Sequence, residues 1–289
     1  MKGDKGHWFV LAAAILWGTT GTAQAFAPAS AQPSSIGAIR LAVGGAALLL
    51  FAAARGVLGD GKPWRLLPTL ISAASVAAYQ LFFFAGVAKT GVATGAIIAI
   101  GSAPVLAGVL GVLLRGERPD RRWMLATALA IAGGALLVGG GEGGLSVDPV
   151  GALFALGAGA SYALYAVVSK GLLADHHPDA VTAVVFSLGA VFLLPILFQA
   201  NLSWLAQPHG LAAALHLGLF ATAAAYALFS RGLMTTPVAT AVALSLAEPL
   251  AAGLLGVFIL DERLPPQAMV GAALLLGGLL LLSTRLKTG

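Results

Sequence analysis

Residues 104–118, PVLAGVLGVLLRGER, return 145 positions later as residues 249–263, PLAAGLLGVFILDER. The two stretches share a proline, an Ala-Gly pair, a Leu-Gly-Val run and a terminal Glu-Arg. Alanine and leucine recur by chance in so apolar a chain; proline, glycine and an acid–base pair at one fixed offset do not. Extended outward without a gap, the same offset pairs Gly6 with Gly151, Trp17 with Tyr162, Pro33 with Pro178, Phe84 with Phe229 and Gly133 with Gly278. The chain is therefore a duplication, divided as residues 1–145 and 146–289.

Each half is built of membrane spans. Hydrophobic residues make up 59% of the 289 and charged residues 9%, with a mean hydropathy of +0.94, whereas about 25% of a soluble chain is charged. Apolar stretches fall at 8–28, 34–54, 67–88, 91–114, 123–139, 149–170, 179–199, 210–233, 236–260 and 267–284. They are apolar all round instead of alternating, so they read as helices and not barrel strands. The expected fold is all-α and integral to the membrane, with ten spans and no room for a soluble domain.

Charge sets the orientation. With the N-terminus in the cytoplasm, the inner segments hold Lys2, Lys5, Arg55, Lys62, Arg65, Arg115, Arg118, Arg121, Arg122, Lys170, Arg231, Arg285 and Lys287, and the outer ones only Lys89 and Arg263. This bias predicts that both termini are cytoplasmic. It also removes the nucleic-acid reading of the +5 net charge, since the excess is spread over short loops. Five spans per half is an odd number, so the second repeat must insert upside down relative to the first. Glu117-Arg118 then lies inside and Glu262-Arg263 outside. Inverted repeats of this kind are a transporter architecture, with the substrate site between repeats near the midplane. Lys2, Lys5 and Ala23-Gln24-Ala25 around the first span imitate a cleaved secretory signal. As a repeat element, that span is expected to be retained.

Leu16-Trp17-Gly18, Arg40-Leu41, Gly116-Glu117-Arg118 after Pro104, Ser161-Tyr162-Ala163-Leu164-Tyr165, and Glu248-Pro249 leading to Asp261-Glu262-Arg263 together resemble the drug/metabolite transporter superfamily, in its ten-helix EamA-type exporter branch. Asp261 departs from the usual glycine at its position. The resemblance covers essentially the whole chain. It implies two EamA-type repeats around a central cavity and export of small metabolites across a bacterial inner membrane. Within the branch the sequence is similar to exporters of amino acids, including aromatic ones.

Trp8, Trp64, Trp123 and Trp204 sit at span ends, as interfacial belts do. Trp17 and all four tyrosines, Tyr79, Tyr162, Tyr165 and Tyr226, lie inside spans. Helical spacing puts Trp17, Thr20 and Gln24 on one face, Tyr162, Tyr165 and Ser169 on the repeat-related one, Ser72, Ser75 and Tyr79 on a third, and Thr222, Tyr226 and Ser230 on a fourth. These stripes are expected to line a cavity; the packing alternative is hydrogen bonding between helices. Glu248, mid-span, must be neutral, paired or facing water. It reads either as a proton-sensitive or amine-binding group or as a packing carboxyl beside Pro249. Arg40 reads either as a carboxylate ligand or as a snorkelling or structurally paired cation. Arg231 reads as an interface anchor. Pro104 and Pro249 are expected to kink their spans.

Cysteine is absent, which excludes disulfides, thiol nucleophiles and Cys-based metal sites. Gly139, Gly141 and Gly144 spell a dinucleotide fingerprint without the strand it needs. His176-His177 beside Asp175 lacks further metal ligands. No Walker loop, His-Glu-x-x-His or Gly-x-Ser-x-Gly occurs. We therefore expect no enzyme activity, cofactor, metal or obligate protein partner. The expected partners are the bilayer and a small substrate, most simply an amino acid, with another amphiphilic metabolite or drug as the alternative. A lipid-modifying enzyme or a scaffold would leave the inverted repeat and the buried Tyr and Glu unexplained.

Overall fold

A computed structural model describes residues 5–59, 62–139, 148–260 and 265–283, whose regular structure is helical with no strand among them. The glycines at 141 and 144, Glu262-Arg263 and both termini lie outside the described residues. Thirteen α-helices follow in order: α1 (Lys5–Ala25), α2 (Pro33–Ala54), α3 (Leu66–Thr90), α4 (Val92–Arg115), α5 (Arg121–Gly139), α6 (Pro149–Leu172), α7 (Pro178–Phe192), α8 (Leu194–Gln199), α9 (Pro208–Gly218), α10 (Ala225–Thr235), α11 (Val238–Leu244), α12 (Ala247–Leu260) and α13 (Pro266–Ser283). Proline opens α2, α6, α7, α9 and α13, where its missing N–H costs nothing and its fixed φ favours the first turn. Asp148 caps α6 by accepting from the Gly151 N–H at 2.7 Å. Gly116 ends α4 at φ 68°, a left-handed turn that residues with a side chain resist.

Among the described residues, eight segments are long and apolar enough to cross a membrane: residues 33–54, 66–90, 94–115, 121–139, 149–172, 208–235, 238–259 and 266–283. α1 falls outside this set because Thr19, Thr20, Thr22 and Gln24 dilute it, and the apolar α7 because it has 15 residues. Leu113, Leu153, Phe198 and Phe258 are exposed, as lipid-facing side chains are.

The segments expected at 179–199, 210–233 and 236–260 are each interrupted. α8 restarts beside Pro195 after Leu193. A π-helical turn, Leu219–Ala224, joins α9 to α10. The chain unwinds at Ser245-Leu246 between α11 and α12, because Pro249 has no N–H for the Ser245 carbonyl and its ring crowds it. That carbonyl accepts instead from the Glu248 N–H at 3.0 Å. α4, by contrast, runs unbroken through Pro104. α1 packs on α10 and α12, α3 on α6 and α7, α4 on α6, α2 on α7 and α9, and α5 on α13.

Candidate substrate site

α1, α3, α6, α7 and α10 each deliver aromatic rings to one place. Trp17 lies 4.9 Å from Tyr226, 5.4 Å from Phe229 and 6.0 Å from Tyr162. Tyr79 meets Tyr162 at 6.3 Å, and Tyr165 lies 5.7 Å from Tyr226 and 5.8 Å from Phe186. The rings touch one another at the position where a central cavity is expected. A cavity of about 340 Å³ lies to one side, where Ser34, Gln80, Phe84 and Leu193 face it from α2, α3 and the α7–α8 connection. At 5% exposure Trp17 is buried, and its indole N–H has no partner among the described residues. A buried donor without an acceptor is costly and is satisfied when an acceptor enters the site.

The charged groups stand at the interrupted helices. Glu248 occupies the first turn of α12, in the middle of its span but at a helix N-terminus, where the helix dipole favours a negative charge. Gly18 lets α1 cross there: a Cβ at this position would stand 2.6 Å from Ala251 Cβ and 2.9 Å from the Glu248 carbonyl oxygen. Arg40 donates from Nε to Thr222 Oγ1 at 3.2 Å and from NH2 to the Ala221 carbonyl at 3.4 Å, both on the π-helical turn. That turn is itself held by Thr222 donating to the Leu217 carbonyl at 2.8 Å. Arg40 is thereby held on the turn that precedes Tyr226, and Glu248 lies three residues after Ser245, whose hydroxyl contacts Tyr162 OH at 3.0 Å; the arginine and the carboxylate form no direct ion pair with each other.

At one end of the bundle, residues 1–145 are tied to residues 146–289. Asp179, with 0% exposure, takes Arg55 NH1 at 2.6 Å on one oxygen and Arg231 NH2 at 2.6 Å on the other. Glu117 binds Lys170 at 2.9 Å and Arg115 at 3.4 Å, and accepts from the Val238 N–H at 2.7 Å. Burial pushes its pKa up, but hydrogen bonds from Lys170 and Val238 and the two cations outweigh this and hold it below the ordinary 4.5. Arg65 pairs with Asp175 at 2.9 Å, and Trp64 stacks on His176 at 4.0 Å.

The profile of the EamA-like transporter family matches twice, over residues 4–139 and 149–284. The chain belongs to the EamA-like transporter family. Among the relatives of this EamA-like protein, the "Uncharacterized transporter YwfM" of Bacillus subtilis is 47% identical over 98% of this chain and 95% of its own length. The "Threonine/homoserine exporter RhtA" of Escherichia coli is 30% identical over 89% of this chain and 83% of its own. The "Probable terminal-alkyne amino-acid exporter" of Streptantibioticus cattleyicolor is 29% identical over 99% and 95%. A crystal structure with 22% sequence identity superposes with a TM-score of 0.84 over 96% of both chains, which shows a shared fold.

Of the residues expected to form the site of this EamA-like transporter, Trp17, Tyr79, Tyr162, Tyr165 and Tyr226 meet in the ring cluster. Thr20 and Gln24 are half-buried on α1, and the hydroxyl with a partner from another helix is Thr19, which contacts His216 Nε2 at 2.8 Å. Ser75 donates to the Ile71 carbonyl of its own helix, while Ser169 bridges to Ser72 at 3.3 Å. Phe186 and Phe229 also belong to the ring cluster, and Ser245 Oγ contacts Tyr162 OH at 3.0 Å. Of these three, only Phe229 carries a signal in the sequence, its repeat pairing with Phe84. Two expectations are corrected. Arg231 is no interface anchor, since the buried Asp179 captures it. Trp204 is no belt residue: it is buried at 1% exposure among Ile36, Ile39 and Leu217, because the 3-10 turn Ser203–Ala206 folds it inward. His177 caps α7 by accepting from the Asp179 N–H, and no group of metal-ligating residues exists among the described residues.

Proposed function

We propose that this chain exports small zwitterionic metabolites, foremost neutral and aromatic amino acids, across a bacterial inner membrane. The observation that carries the reading is a cluster of aromatic rings with a cation and an acid beside it: Arg40 is bonded to the π-helical turn that leads into Tyr226, and Glu248 stands in the first turn of α12, three residues after the Ser245 that contacts Tyr162. A zwitterion answers this geometry, with its ammonium toward Glu248 and its carboxylate toward Arg40 and the free Trp17 N–H. The side chain contacts the rings. Relatives named as exporters of threonine and homoserine and of an amino acid support the class.

In this reading α7–α8, α9–α10 and α11–α12 each form one span. Ten spans then make two oppositely inserted repeats with both termini cytoplasmic, and substrate crosses by alternating access. The end carrying Arg55, Arg65, Arg115, Lys170 and Arg231 faces the cytoplasm. It is the closed end of this conformer, since Asp179 and Glu117 tie the halves together there, and it must open for a substrate to load. The interrupted α11–α12 and the π-helical turn are the natural places for that movement.

Efflux from proteoliposomes, compared for phenylalanine, methionine, threonine and a lipophilic cation, tests the substrate. Efflux of the cation with none of the amino acids overturns the assignment and favours an amphiphilic drug or metabolite, for which the rings alone suffice. Labelling of a cysteine introduced at position 146 tests the orientation; access from the cytoplasm alone refutes it.

A further inference from the structure

The hydroxyl of Ser245, in the gap between α11 and α12, donates to the Val242 carbonyl at 2.7 Å. A serine hydroxyl has one proton, so Ser245 Oγ can only accept along its other contact, which is Tyr162 OH at 3.0 Å. The Tyr162 proton is thereby committed to Ser245, leaving the phenolic oxygen with acceptor lone pairs alone. Tyr162 also stands 6.0 Å from Trp17 and 6.3 Å from Tyr79, and the Ser245 that it contacts accepts at its carbonyl from the Glu248 N–H at 3.0 Å. The unpartnered Trp17 indole is the opposite case, because it has a donor and no acceptor.

We propose that Ser245 is a specificity-determining residue: by fixing the direction of the Tyr162 hydroxyl it makes that oxygen an acceptor facing the site, so that Tyr162 and Glu248 together select substrates bearing an ammonium group. This rests on the zwitterion reading and adds to it the element that tells an amino acid from the acid lacking its amine. A carboxylate-only molecule brings no donor to Tyr162 and leaves that oxygen unsatisfied. Without Ser245 the phenol regains a free proton and the penalty disappears.

The test measures inhibition of labelled phenylalanine efflux from proteoliposomes by 3-phenylpropionate, which lacks the ammonium, and by phenethylamine, which lacks the carboxylate. Ser245→Ala should reduce the preference for phenylalanine over 3-phenylpropionate about tenfold, the worth of one hydrogen bond to a charged group. The preference over phenethylamine should stay unchanged, and Ser245→Thr, which keeps the hydroxyl, should retain both. Should Ser245→Ala fail to fold, Tyr162→Phe deletes the oxygen with its ring in place and should lower the same ratio. An unchanged ratio, or an equal fall in both preferences, overturns the role of Ser245. Failure of the zwitterion reading itself shows already in the wild type, as transport of no amino acid.

Discussion

Asp179→Asn tests the closed end of the bundle. The carboxylate is fully buried and holds Arg231, 26% exposed, and Arg55, 46% exposed. Removing one partner of a fully buried ion pair costs about 3 to 5 kcal/mol, whereas an exposed pair is worth roughly 0 to 1 kcal/mol. Placing the Arg231 contact near about 2 kcal/mol and the Arg55 contact below about 1 kcal/mol, Asp179→Asn should cost about 3 kcal/mol. Arg55→Gln should cost about 1 kcal/mol or less, because Asp179 keeps Arg231. For a chain of this size the larger loss lowers the thermal unfolding midpoint by about 6 to 12 °C, readable in detergent by intrinsic fluorescence. The lock also keeps buried groups beneath it from water. Ser230, at 0% exposure next to Arg231, replaced by cysteine should therefore label faster once Asp179 is changed. A midpoint shift below about 2 °C, or an Arg55→Gln loss equal to that of Asp179→Asn, would show that Asp179 does not lock this end through Arg231.

Glu248→Gln should lower efflux or alter its pH profile at normal expression, and a wild-type rate with a wild-type profile would assign the carboxyl to packing. Gly18→Ala brings a methyl against backbone that cannot yield, so it should push α1 off α12 and cost about 1 to 3 kcal/mol, seen as a lower midpoint together with slower efflux. Glu117 is held below the usual carboxylate pKa, so its contribution to stability is complete above about pH 4.5 and is lost as pH falls through the depressed value. Wild type and Glu117→Gln should therefore unfold at different midpoints at neutral pH and converge in acid. A constant difference across that range would contradict the assigned interactions.

The membrane class, the helices and the duplication are legible in the amino-acid sequence, because they depend on local composition and on a repeat offset that needs no coordinates. The sequence also picked out the ring-bearing residues: a tyrosine or tryptophan inside an apolar span is conspicuous, and helical spacing shows which face it shares. It could not tell which stripes meet. Folding brings Trp17, Tyr79, Tyr162 and Tyr226 together and adds Phe186 and Phe229, which an apolar span hides among its other hydrophobic residues. The same holds for the buried charges. Asp179 resembles any acid in the first turn of a helix until Arg55 and Arg231 converge on it from 124 residues before and 52 after. The break at Ser245 was half legible, since Pro249 marks a lost hydrogen bond. Where the helix restarts, and which hydroxyl fills the gap, follows from the packing of α1 and α6 against it, and no local pattern carries that information.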